Sequence, residues 1–224
     1  MSLCNKIKSI PLKSRVFSFK TKDITINYTD SIDSIVNEMT QEEFGEDERF
    51  PYYITIWDSG PVLATWLIEN IENIDTMTIL ELGSGTGVTG VALATAGCRL
   101  IFTDYEEYSV ELCARNAIQN GIKNYDCLTA DWRNFPDIDE KIDMVVCSDV
   151  LYEEKQVIPL YSVIKKYLKL NTAVYISDPQ RGHINTFIDL LQKDNFSVKP
   201  VYQKINGVTP FKTITIYEIK NIPA

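Results

Sequence analysis

The chain has 224 residues, 45% of them apolar, and a formal charge of −9, which suits one sizeable domain with a substantial core and excludes a general attraction to nucleic acid phosphates. No window approaches a membrane span, and no signal-peptide pattern follows the N-terminal lysines. Five dispersed cysteines without a C-x-x-C pair (Cys4, Cys98, Cys113, Cys127, Cys147) point to free thiols in a reducing, cytoplasmic compartment, and with a single histidine they offer no zinc set.

Residues 1–77 read as an N-terminal elaboration. Residues 16–20 and 24–28 predict a hairpin turning at Lys22-Asp23. Ile32, Ile35, Val36 and Met39 have helical spacing behind Asp30 as an N-cap, and residues 41–49 form an acidic loop. A helix over 61–69 buries Val62, Leu63, Trp66 and Leu67, with Pro61 in its first turn.

From residue 78 onward strands and helices alternate. Strands are expected at 78–82, 99–103, 125–129, 143–148 and 173–177, with helices at 89–96, 108–120, 156–168 and 183–193. Segments 196–203 and 213–219 close the chain as an antiparallel pair. The pattern predicts an α/β, Rossmann-like, seven-stranded sheet, mostly parallel with the last strand antiparallel, and helices on both faces. With no repeat or linker, residues 1–224 form one domain whose core spans 78–224.

The strand Thr78-Ile79-Leu80-Glu81-Leu82 runs straight into Gly83-Ser84-Gly85-Thr86-Gly87. Side chains are missing where the backbone must turn sharply and let a nucleotide-like ligand come close, so the loop binds an adenosine-bearing cofactor. A dinucleotide G-x-G-x-x-G started at Gly83 fails at Val88. Started at Gly85 it reads Gly85, Gly87, Gly90, but the strand then ends two residues too early. The E/D-x-G-x-G-x-G loop of S-adenosylmethionine (SAM) methyltransferases fits, with Glu81 as the acid beneath it.

Ligands of open α/β sheets sit outside the carboxyl ends of the strands. Those ends carry Asp104-Tyr105, Ala130-Asp131-Trp132, Ser148-Asp149-Val150-Leu151-Tyr152 and Asp178-Pro179-Gln180-Arg181. Asp104, 21 residues after Gly83, is placed to accept from ribose hydroxyls. Asp131 is placed to accept from the adenine amino group beside Trp132. Each has a plainer alternative: Asp104 and Asp149 as helix caps, Asp131 as a loop acid, Trp132 as core; His183, the single histidine, opens a helix rather than acting as a base.

Ile56-Trp57-Asp58-Ser59-Gly60-Pro61-Val62-Leu63-Ala64, with the D-x-x-Y of Asp149 to Tyr152 and the D-W of Asp131-Trp132, resembles the seven-strand SAM methyltransferase family that holds non-histone protein lysine methyltransferases and nicotinamide N-methylase-like proteins. The similarity spans residues 53–181. It implies that Trp57 covers SAM, that Ser148 joins the cofactor set, and that Asp149 and Tyr152 face the methyl acceptor. Asp58 departs from the family's usual proline, and Asp178 to Arg181 is similar to a D-P-x-R segment of its flavoprotein-directed branch. The expected reaction is methyl transfer to nitrogen, leaving S-adenosylhomocysteine, with a protein lysine as acceptor. A small amine or pyridine, an inactive SAM-binding module and an NAD-dependent oxidoreductase are the alternatives. Asp149 is expected to be an exposed carboxylate that orients the amine, with Tyr152 and Trp57 as aromatic surface beside it.

Overall fold

Alternation of apolar side chains along the central strands supplies two buried faces. The computed structural model describes residues 7–30, 51–205 and 213–222. Strands β1 (Lys13–Ser18) and β2 (Asp23–Tyr28) form an antiparallel hairpin. The main sheet contains β3 (Thr78–Leu82), β4 (Arg99–Asp104), β5 (Tyr125–Thr129), β6 (Met144–Ser148), β7 (Ala173–Asp178), β8 (Phe196–Ile205) and β9 (Thr213–Asn221). Their order is β5-β4-β3-β6-β7-β9-β8; β9 runs antiparallel to both neighbours and the remaining pairings are parallel. This is the sheet expected from the sequence.

Helices α1 (Ser59–Asn70), α2 (Val88–Ala94), α3 (Glu107–Gln119), α4 (Val157–Lys169) and α5 (His183–Lys193) cover it. Ile79, Leu100, Phe102, Met144 and Val146 face one side with residues of α1, α2 and the hairpin. Leu80, Ile101, Val145 and Cys147 face the other with α4 and α5. The period of two along each strand is what separates the layers.

Boundaries differ where local hydrogen bonding overrides the apolar pattern. The hairpin begins at Lys13 because backbone pairing extends through polar residues, and it turns over residues 19–22, where the Phe19 amide donates to the Lys22 carbonyl at 3.3 Å. Helix α2 stops at Ala94, and its exit turn closes on Gly97 at φ +102°. In β8 the register shifts between Pro200 and Tyr202, since proline has no N–H to give the ladder. The expected helix at 32–39 and the acidic loop at 41–49 lie outside the described residues.

Strand order reverses between β4 and β6 on either side of β3. A crevice therefore opens beyond the carboxyl ends of these three strands.

Candidate functional site

The loop after β3 is shaped by what it cannot accommodate. Gly83 (φ +69°) would bring a Cβ to 2.9 Å from Val150 Cγ1, and Gly85 (φ +55°) would bring one to 3.3 Å from the Tyr53 carbonyl. Only glycine takes both the left-handed backbone and the close approach without cost. Gly83 and Gly85 border a cavity of about 170 Å³ in the crevice. Ser84, Thr86 and Gly87 shape the loop behind it. The Ser84 hydroxyl accepts from the Thr103 amide at 3.1 Å, the Thr86 carbonyl accepts from Asn116 at 2.8 Å, and Gly87 lies against Cys113.

Glu81 sits beneath the loop, buried, and accepts from the Gly90 amide at 3.2 Å at the start of α2. Burial pushes its carboxyl up to about 8, against hydrogen bonds from Thr89, Gly90 and Ser84 that favour the charged form.

Asp104 ends β4 and faces the same cavity with Tyr105. Its two oxygens accept from the Gly85 amide at 3.0 Å and the Glu106 amide at 3.1 Å, so one carboxylate ties the glycine loop to the entrance of α3. Burial raises its proton affinity while these donors oppose the rise. Asp131 and Trp132 also border the cavity. The Asp131 carboxylate caps the short turn Trp132–Asn134 through the Arg133 amide at 2.9 Å, and holds the Arg133 guanidinium at 2.6 and 3.0 Å. Trp132 both packs on the apolar layer of α4 and walls the cavity.

Ser148, Asp149 and Tyr152 also border the cavity, as do Trp57 and Tyr52. Asp149 caps no helix, since the next helical turn begins at Glu154 with Glu153 before it. Its backbone is left-handed (φ +54°), a conformation costing about 1–2 kcal/mol outside glycine. The expectation of an exposed carboxylate is corrected: the Asp149 side chain is only 4% exposed and receives Arg181 Nε at 2.5 Å and Nη2 at 3.3 Å. β7 ends beside β6, and its exit loop brings the guanidinium onto the acid.

The aromatic set is wider than the sequence suggested. Tyr52 meets Trp57 and Tyr152 edge-on, with ring centroids at 6.0 and 5.5 Å, and Trp57 Nε1 donates to the Tyr52 carbonyl at 3.1 Å. The Tyr152 hydroxyl accepts from Gln156 at 3.1 Å, and burial pushes the phenol up to about 12, so it stays neutral. Tyr52 was signalled only by its place in the Pro51-Tyr52-Tyr53 run ahead of Trp57. His183 opens α5 and does not border the cavity. Among the described residues no group of three or more His, Cys, Asp or Glu is placed to hold a metal.

The fold is shared with a ribosomal protein L11 methylase from Lactobacillus delbrueckii subsp. bulgaricus, at TM-score 0.56 and 20% identity over 73% of this chain and 79% of that one. By sequence the chain is 28% identical over 166 residues to the mouse electron transfer flavoprotein beta subunit lysine methyltransferase, covering 71% of this chain and 64% of that protein. It is 33% identical over 129 residues to the mouse protein-lysine N-methyltransferase EEF2KMT, covering 50% of this chain and 38% of that one. The chain thus spans less than two thirds of the length of these relatives. A family model described as lysine methyltransferase matches residues 39–194, well over half of the chain, and this protein belongs to that family.

Proposed function

We propose that the protein transfers a methyl group from SAM to the side-chain nitrogen of a protein lysine, releasing S-adenosylhomocysteine. The observation that carries this is one cavity lined by two chemically distinct sets of residues. Gly83, Gly85 and Asp104 form one set; Asp149, Tyr152, Trp57 and Tyr52 form the other. The names of relatives directed at protein lysines support the choice of acceptor.

The first set fits SAM. A loop without Cβ atoms lets backbone approach the ligand, Asp104 presents a carboxylate where a ribose diol can donate, and Trp132 offers a flat wall for adenine. Ser148 also borders the cavity, its hydroxyl 3.4 Å from that of Thr89. When bound, SAM supplies an activated methyl on a sulfonium and a neutral thioether as leaving group.

The chain's own contribution is orientation and exclusion of water. An acceptor lysine must lose a proton, at a cost of about 4–5 kcal/mol between its usual pKa and neutrality. Asp149 accepts a hydrogen bond from the resulting amine and aims its lone pair. Tyr152, Tyr52 and Trp57 line the approach with ring faces that suit a methylated ammonium product. The neutral phenol of Tyr152 remains a hydrogen-bond donor throughout. As part of the same reading, the free cysteines at Cys98, Cys113, Cys127 and Cys147 support a cytoplasmic location.

The test is incubation with methyl-tritiated SAM and undermethylated lysate, followed by separation of protein from small molecules. Label in discrete protein bands, surviving acid hydrolysis as methyllysine, is the expected result. Label confined to the small-molecule fraction would move the acceptor to a free amine and overturn the protein reading.

A further inference from the structure

One cation is already held between an acid and an aromatic ring that border the cavity. Arg181 donates to Asp149 from two guanidinium nitrogens, and its guanidinium carbon lies 5.4 Å from the Trp57 ring centroid. The loop that carries it is fixed from three sides. The Arg181 amide donates to Asp178 Oδ1 at 2.7 Å, and Gln180, at φ +65°, reaches the Thr215 hydroxyl at 2.8 Å and the Tyr217 hydroxyl at 3.0 Å. Asp178 faces the pair from β7; its Oδ2 is buried without a partner among the described residues, and burial pushes the carboxyl up to about 7. Tyr152, in the loop after β6, borders the same cavity, and Trp57 meets the guanidinium from the segment before α1.

A bare carboxylate at this depth has a defect as an orienting group. It attracts the ammonium form and holds the proton on the nitrogen that must attack. An arginine corrects this, because its charge is permanent and its two-pronged contact leaves carboxylate lone pairs available.

We infer that Arg181 is a positioning residue of the acceptor site: it fixes the Asp149 carboxylate as a hydrogen-bond acceptor and cancels its charge, so that an amine is oriented there without being trapped as ammonium. This rests on the placement of Asp149 beside the methyl acceptor proposed above.

The test needs no protein substrate. Sinefungin carries a primary amine in place of the methylsulfonium of SAM, while S-adenosylhomocysteine carries no charge at that position. Both affinities are measured by calorimetry for the wild type, Arg181→Gln and Arg181→Lys. In Arg181→Gln sinefungin gains about tenfold relative to S-adenosylhomocysteine, because the uncompensated acid now attracts the amine. Arg181→Lys keeps the wild-type ratio. A ratio in Arg181→Gln within about twofold of wild type, or parallel loss of both ligands, would assign Arg181 to the scaffold and overturn the inference. Failure of the wild type to bind either ligand would instead overturn the methyltransferase reading beneath it.

Discussion

The side-chain amide of Asn116 in α3 pairs with both backbone groups of Asn27 in β2, accepting at 2.9 Å and donating at 3.2 Å, and also donates to Thr86 of the glycine loop at 2.8 Å. Asn120, one helical turn on, repeats the pairing with Thr25 at 2.8 Å in both directions. A four-residue helical step of about 6 Å nearly matches a two-residue strand step of about 6.7 Å, so two asparagines complete the free edge of the hairpin as a neighbouring strand would. Beyond Tyr28, the Thr29 amide donates to the Ile54 carbonyl at 2.8 Å. The hairpin is thereby tied both to the glycine loop and to the segment carrying Tyr52, Tyr53 and Trp57.

Asn116→Ala removes three hydrogen bonds, one buried and two partly buried, and leaves backbone partners unsatisfied. It is expected to cost about 2–4 kcal/mol in urea unfolding and to weaken SAM binding through the loosened Thr86. Full retention of both would show that the hairpin is held elsewhere.

Gly90→Ala tests the packing of α2 on the sheet. A Cβ there would fall 2.3 Å from Phe102 Cε1 and 2.5 Å from Glu81 Oε2, both buried in the layer beneath. The expected loss is about 2–4 kcal/mol, above a helix-propensity gain of about 1 kcal/mol, read as a lowered melting temperature. A stabilised variant would contradict the close approach of helix and strand.

Asp104→Ala is expected to weaken SAM binding by at least about tenfold, since it removes the proposed ribose acceptor and releases the Gly85 amide. Calorimetry with SAM decides it. Unchanged affinity would displace the ribose from this carboxylate.

Asp149→Ala is expected to reduce methyl transfer by at least about a hundredfold at saturating SAM. It also strips Arg181 of its buried partner, so a loss of about 3 kcal/mol in stability accompanies it. Full turnover would remove Asp149 from the acceptor site.

The ligand-free protein is expected to lose stability as pH rises from about 5 to about 8. Glu81 titrates near 4.5 when unfolded and is pushed up to about 8 by burial, so across that window the folded chain keeps a proton that the unfolded chain has released. The stabilisation is complete below the unfolded value and lost as pH passes the folded one. Asp178, pushed up to about 7, acts in the same direction. Glu81→Gln should flatten the profile and stabilise the protein at pH 8 by on the order of a few kcal/mol, measured by urea unfolding across pH. A profile equally steep in the variant would place the buried charge elsewhere.

What the sequence determined by itself was the alternation of elements, the strand at Thr78–Leu82 leading into its glycine loop, and the acids that end the strands. These are local properties: a period of two, a period of 3.6, and glycine where φ is positive. Its motifs also marked Trp57, Asp149 and Tyr152, which the fold brings to one cavity. Tertiary structure alone decided what those side chains meet. Arg181 lies 32 residues after Asp149 and reaches it only because β6 and β7 are neighbours in the sheet. Asn116 reads as one polar residue on the buried face of α3; its role appears once a strand 89 residues earlier lies against it. The burial of Asp149 and the raised proton affinity of Glu81 likewise depend on desolvation by distant segments, a quantity that no local spacing encodes.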